Sequence, residues 1–164
     1  MKVLITIDDS KFSEAVINEA ANRSWGPKTE IMVLSVVAIP TSEHWQDWGL
    51  SVAPKIKERL LSDAKMLVGK NVALLKEHLE VQKNKEGIKI EGKIVEGHTC
   101  DSIARVASHW QADMIMMGSH GRTGIGRFLL GSIAEGVLLR APCSVEIIKR
   151  KKKTSRKRKV TVLY

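Results

Sequence analysis

Apolar residues along the chain follow two rhythms that alternate with one another. Five short segments, Lys2–Ile7, Glu30–Val37, Ile88–Val95, Asp113–Met117 and Cys143–Ile148, are rich in β-branched and other apolar side chains. Runs of that length and composition predict buried strands. Between them the apolar positions recur every three or four residues, the spacing of one helical face. Ala15, Val16, Ala20 and Ala21 form the first such stripe, with Ser10 before it where an N-cap belongs and Gly26-Pro27 after it as a stop. From about 52 to 82 a longer stripe runs through Leu60, Leu61, Ala64, Leu67, Val68, Val72, Leu75 and Leu79. Thr99 is placed to cap a helix carrying Ile103, Val106, Ala107 and Trp110. A last helix carries Ile133, Val137 and Leu138 before Ala141-Pro142 breaks it.

The predicted order is β-α-β-α-β-α-β-α-β, an α/β fold. Continuous apolar strands alternating with amphipathic helices require a five-stranded parallel sheet with helices on both faces. Ligands of such sheets bind beyond the carboxyl ends of the strands, where the strand order reverses. That directs attention to Asp8 and Asp9 after the first strand and to Gly118 onward after the fourth. The stretch from Pro40 to Pro54 reads as a loop holding Trp45 and Trp48. A lid, local packing and a protein contact surface are all open to it.

Charge changes the picture only at one end. Nine of the 27 basic residues lie between Lys149 and Lys159, a stretch without an acid; the remaining 18 equal the 18 acidic residues. The expected organisation is therefore a single charge-balanced folded domain over 1–149 and a basic, solvated tail over 150–164. Such a tail can attach to nucleic acid or an anionic membrane by neutralising phosphates, with no means of reading a base sequence. No apolar run approaches the ~20 residues that span a bilayer. Acids at Asp8 and Asp9 interrupt the N-terminus too early for a signal peptide, so the protein is expected to be cytoplasmic. Cys100 and Cys143 have neither CxxC spacing nor an adjacent histidine, which argues against zinc and against a disulfide framework. The five histidines are scattered without metal-ligand spacing, and His120 is expected at solvent.

The candidate chemistry lies between the fourth strand and the last helix. Gly118, Gly121, Gly124, Gly126 and Gly131 fall within fourteen residues there. Glycine permits close backbone approach, and successive N–H groups can curl into an anion-binding nest. Gly131-Ser132 opens a helix whose N-terminal N–H groups and dipole favour phosphate, and the hydroxyls of Ser119 and Ser132 can donate further bonds. Arg122 and Arg127 can pair with phosphate or stay solvated. No Gly-Lys-Ser/Thr is present, so this is not a Walker loop, and no GxGxxG follows the first strand.

These residues resemble the universal stress proteins. ATP-binding members of that family carry Gly, two residues, Gly, nine residues, then Gly-Ser/Thr, the spacing of Gly118, Gly121, Gly131 and Ser132. Ile7-Asp8-Asp9-Ser10, Gly97-His98, Ala112 to Ser119, and Ala141-Pro142-Cys143-Ser144-Val145 resemble further family segments in the family's order, over about 1–149. The resemblance implies a Rossmann-like sheet of the adenine nucleotide alpha hydrolase type, with strand order 3-2-1-4-5. It implies ATP, or AMP or ADP, as ligand: Thr6 and Ile7 under the base, Asp8 on the adenine or ribose edge, Val36 lining the adenine pocket and Met117 on the ribose side. Gly118, Gly121, Gly131, Ser132 and Ile133 would carry the phosphates, with Ser119 beside them and Mg2+ or Mn2+ bridging them. It also implies a homodimer through the strand 143–148, itself a predicted apolar edge.

The function so implied is a stress-response regulatory protein that works as a nucleotide-dependent switch. Two alternatives stay in view: a slow ATP hydrolase or phosphotransferase, and a nucleic-acid-associated protein acting through its tail. Efficient phosphoryl transfer needs a positioned base, a metal-holding carboxylate and a cation at the terminal phosphate. No carboxylate is clearly placed to orient water, so at most weak ATPase activity is expected and no catalytic residue is assigned.

Overall fold

The computed structural model describes residues 1–38, 53–80, 87–121 and 130–149. Within them the order is β1 (Lys2–Thr6), α1 (Lys11–Asn22), β2 (Glu30–Val37), α2 (Ala53–Glu80), β3 (Lys89–Glu96), α3 (Thr99–Trp110), β4 (Met114–Gly118), α4 (Ser132–Leu138) and β5 (Ser144–Ile148). All strand pairings are parallel, and the sheet order is β3-β2-β1-β4-β5. The chain therefore walks outward from β1 to β3, then jumps back beside β1 to place β4 and β5.

Residue alternation along the strands feeds two separate cores. Val3 and Ile5 of β1, Ile31 and Val33 of β2, and Met116 of β4 join Val16, Ile17 and Ala20 of α1 and Val68, Leu75 and Leu79 of α2. Their neighbours Leu4, Met32, Leu34, Ile115 and Met117 point the other way, onto Cys100, Ile103, Val106 and Ala107 of α3 and Ala134 and Val137 of α4. The period of two explains why central strands must be apolar at every position. Reversing the direction of travel at β1/β4 moves the helices to the opposite face, as crossovers of a single hand require.

Helix starts and stops depart from the sequence pattern in three places. Ser10 does cap α1, its hydroxyl accepting the Ser13 N–H at 3.4 Å. The helix then ends at Asn22 with Arg23 as C-cap, before Gly26-Pro27. Pro54 is the second residue of α2 rather than the end of a loop; a first-turn proline has no intrahelical N–H to lose. Thr99 is the first helical residue of α3, and His98 occupies the cap position without a side-chain bond.

Arg23 also ties α1 to the edge strand. Its guanidinium donates to both carboxylate oxygens of Glu146 on β5, at 2.6 and 2.5 Å. Hydrogen bonding from Arg23 holds the Glu146 carboxyl below its ordinary value, against burial, which acts the other way; the guanidinium charge adds to the lowering. A depressed carboxyl stabilises the fold above its unfolded value of about 4.5 and loses that contribution as pH falls through the depressed value. The side chains are 26% and 33% exposed, so solvent limits the pair to about 1 kcal/mol. Urea titrations should show Glu146→Gln less stable than wild type near neutral pH, with the gap closing below about pH 4. A gap independent of pH would assign the effect to packing instead.

Candidate functional site

The carboxyl ends of β1, β2 and β4 open into a cleft of about 940 Å³ at the point where strand order reverses. Its floor is built by the strand ends. Thr6 and Ile7 leave β1 almost fully buried, with the Ile7 N–H donating to the Leu34 carbonyl at 2.9 Å. Val36, half-buried, and Met117, 4% exposed, add apolar surface from β2 and β4. Met117 belongs to the core and to the cleft at once.

Asp8 stands at the centre of the β1–α1 turn, and its two carboxylate oxygens are used differently. Oδ1 accepts from the N–H and hydroxyl of Ser10 and from the hydroxyl of Ser13 at 2.6 Å. The Asp8 N–H in turn donates to Ser13 Oγ at 2.8 Å. Asp8 therefore braces the cap that Ser10 provides, and only Oδ2 faces across the cleft. A Cβ built on Gly121 would lie 3.0 Å from Oδ2, so the absence of a side chain at 121 keeps the carboxylate accessible.

The glycine segment passes close to other backbone at two further points. A Cβ on Gly118 would meet Phe12 Cβ at 2.8 Å, and one on Gly131 would meet the Ser119 carbonyl oxygen at 3.0 Å and His120 Cα at 3.1 Å. The Gly131 N–H donates to the Ser119 carbonyl at 2.8 Å, and the Ser119 N–H to the Ile148 carbonyl at 3.0 Å. Neither N–H remains available to an anion, which corrects the expectation that Gly131 donates to phosphate. Gly131 instead caps α4 without a side chain, so the N–H groups of Ser132, Ile133 and Ala134 have no partner inside the helix. All three residues line the cleft.

Ten of the eleven residues singled out from the sequence line this one cleft: Thr6, Ile7, Asp8, Val36, Met117, Gly118, Gly121, Gly131, Ser132 and Ile133. Ser119 does not; it is 3% exposed, its hydroxyl 3.1 Å from His120 Nδ1. His120, expected at solvent, lines the cleft half-buried, its ring 5.2 Å from that of Phe12 and its Nε2 buried without a partner among the described residues. Asp63, Leu67 and Lys70 of α2 and Thr99 of α3 complete the walls and were not foreseen. Asp63 and Lys70 are seven residues apart, in phase with Leu60 and Leu67, and that shared phase was the available signal. Trp45, Trp48, Arg122 and Arg127 lie outside the described residues.

A family model for the universal stress protein family matches residues 1–149. The chain belongs to that family. It is similar to universal stress protein MJ0531 of Methanocaldococcus jannaschii, 43% identical over 67 residues, 41% of this chain and 39% of that protein. It is similar to MJ0577 of the same organism, 31% identical over 97 residues, 59% of this chain and 55% of that one. These matches span about two fifths to just over half the length of those relatives. The solved structure of MJ0577 superposes with a TM-score of 0.74 at 26% identity, covering 92% of this chain and 96% of that one. More distant universal stress proteins share the fold. One in complex with cAMP gives a TM-score of 0.60 at 20% identity, over 90% and 96% of the two chains. An Arabidopsis thaliana protein with AMP bound gives 0.58 at 16%, over 96% and 97%. An Archaeoglobus fulgidus protein in complex with dAMP gives 0.55 at 20%, over 91% and 98%.

Other chemistry in this universal stress protein is sparse. Among the described residues no three His, Cys, Asp or Glu side chains gather to hold a metal ion, and no helix is long and apolar enough to cross a membrane. Cys100 is buried against the Ile133 carbonyl. Burial, with the Asp113 charge, pushes the Cys143 thiol up, so Cys143 is not an activated thiolate.

Proposed function

We propose that the chain is an adenine-nucleotide-binding regulatory protein of the stress response, with ATP as favoured ligand and AMP or ADP as weaker ones. The observation that carries this reading is the convergence of ten residues from separate stretches of chain on one cleft at the switch point of the sheet. Relatives of the same fold with cAMP, AMP and dAMP bound support an adenine ligand. In this reading Val36 lines the base pocket over Thr6 and Ile7. Asp8 Oδ2 accepts from the adenine or ribose edge, and Met117 packs on the ribose. Gly118, Gly121 and Gly131 leave room for phosphates, which take hydrogen bonds from the N–H groups of Ser132 and Ile133 and from the Ser132 hydroxyl. Ser119 stands next to Gly118 as a neighbour of these residues. A bridging Mg2+ or Mn2+ would draw its ligands from phosphate and water.

Occupancy of the cleft is the functional event, and turnover is at most slow. Oδ1 of Asp8 is engaged by Ser10 and Ser13, which leaves only Oδ2 to meet a ligand. The protein acts as a cytoplasmic homodimer paired through β5. The edge position of that strand and the exposure of Leu138 and Leu139 on the approach to it support the pairing.

Calorimetric titration with ATP, AMP and GTP tests the reading. Adenine nucleotides should bind, and GTP should bind much more weakly. Asp8→Asn keeps an acceptor for Ser10 and Ser13 but removes the charge at Oδ2. Its affinity should fall about tenfold, the scale of one charge-assisted hydrogen bond, with the unfolding midpoint nearly unchanged. Equal affinity for ATP and GTP would defeat the adenine assignment.

A further inference from the structure

Helix α2 changes partners half-way along its length. Its later half packs Val68, Leu75 and Leu79 into the apolar cluster on that face of the sheet. No residue of 54–66 belongs to either cluster, and of these only Ala64 is buried. Leu60, Ala64 and Met66 line the cleft instead. The change follows from strand length. β1 stops at Thr6, in register with Leu34, while β2 and β3 continue to Val37 and Glu96. A helix joining parallel β2 to β3 returns antiparallel to them, so its early turns stand beside the opening that β1 leaves.

Gly69 lies at the junction of the two halves. On one side is Val68, buried in the core; on the other is Lys70, which lines the cleft. A Cβ at Gly69 would meet nothing within 4 Å among the described residues, so packing gives no reason for a glycine there. Inside a helix, glycine holds helical angles less firmly than alanine does. Gly92 is the opposite case, because the approach of Val68 needs its missing side chain. One ion pair among the described residues ties the early half of α2 to the sheet, Lys57 Nζ on Glu96 Oε2 at the end of β3, at 2.7 Å. Its side chains are 46% and 40% exposed, and pairs so exposed hold weakly.

We propose that residues 54–66 form a jaw on the cleft, hinged at Gly69 and latched by Lys57 and Glu96. The jaw swings out to admit a nucleotide and returns with Leu60 and Ala64 against it. This rests on the nucleotide-binding reading above and adds that entry and exit share one gate. A ligand that passes only through the open state has both of its rates set by how often the gate opens. Its affinity is not set by that frequency.

The test compares full-length Gly69→Ala with wild type by stopped-flow, using a fluorescent N-methylanthraniloyl derivative of ATP. The alanine should raise the unfolding midpoint by about 2–4 °C. Association and dissociation rates should both fall about fivefold, with affinity unchanged within about twofold. Lys57→Gln, which frees the latch, should raise both rates. Amide exchange gives a readout that needs no ligand. The N–H groups of 58–66 should exchange faster than those of 71–79, and Gly69→Ala should slow the first group. Unchanged rates in a Gly69→Ala protein of raised midpoint overturn the hinge, as does a change in affinity carried by one rate alone. Uniform exchange along α2 overturns it whatever the nucleotide does. If wild type does not bind the ATP derivative, the nucleotide reading falls and takes the gate with it; binding with unaltered rates removes the gate alone.

Discussion

Gly131→Val is expected to weaken ATP binding by about a hundredfold or more, equivalent to about 2.7 kcal/mol, while the protein stays folded. A Cβ at 131 would stand 3.0 Å from the Ser119 carbonyl oxygen and 3.1 Å from His120 Cα. Both are backbone atoms, which cannot rotate away as a side-chain tip can. The valine must therefore push the start of α4 away from the strand end, and the Gly131–Ser119 hydrogen bond of 2.8 Å opens with it. The N–H groups of Ser132 and Ile133 then no longer point where the proposed phosphate would sit. Overpacking of this kind costs about 1–3 kcal/mol of stability, a modest fraction of what a domain of this size holds. Calorimetry with ATP, alongside thermal unfolding, separates the two effects. Unchanged affinity in a folded Gly131→Val protein would sink the placement of phosphate at this helix start.

The largest expected loss of stability lies on the far edge of the sheet, at Gly92 in β3. A Cβ there would fall 2.4 Å from Val68 Cγ1 and 3.3 Å from Val72 Cγ2. Val68 is 5% exposed, so α2 has no slack to yield. Gly92→Val should cost about 3 kcal/mol or more, a drop of about 6–12 °C in unfolding midpoint for a chain of this length. Because the clash is with one branched side chain, making room should relieve it. In a Gly92→Ala background, Val68→Ala should recover part of the loss although it deletes buried methyl groups. Urea midpoints of the two single variants and the double variant complete the cycle. Strict additivity would show that Gly92 is not required by the approach of α2.

Much of this protein was legible along the chain because parallel sheets write themselves in local patterns. Glu30–Val37 forms β2 with the bounds its apolar run marked, and the remaining strands shift by no more than a residue at either end. Ser10 caps α1 as its position indicated. The glycine spacing at 118, 121 and 131 is also local information, since it records where backbone must approach other backbone. The cap that misread was the start of α3, where neighbouring residues compete for one role. Composition could not tell His98 from Thr99 as the start of α3.

The sequence by itself determined the order of elements and the fold class, because period and turn chemistry act over a few residues. Only the tertiary structure decided which ends of the chain meet. It brought Asp8 and Gly121, over a hundred residues apart, to either side of one cleft. It turned Asp63 and Lys70 of α2 into cleft walls. It set Ile148 at the end of β5 beside Gly118 and Ser119. It also withdrew the Gly131 N–H from the list of donors by giving it a partner. Each of these depends on sheet register and on crossovers of one hand, which couple residues far apart in the chain and leave no periodic trace in it.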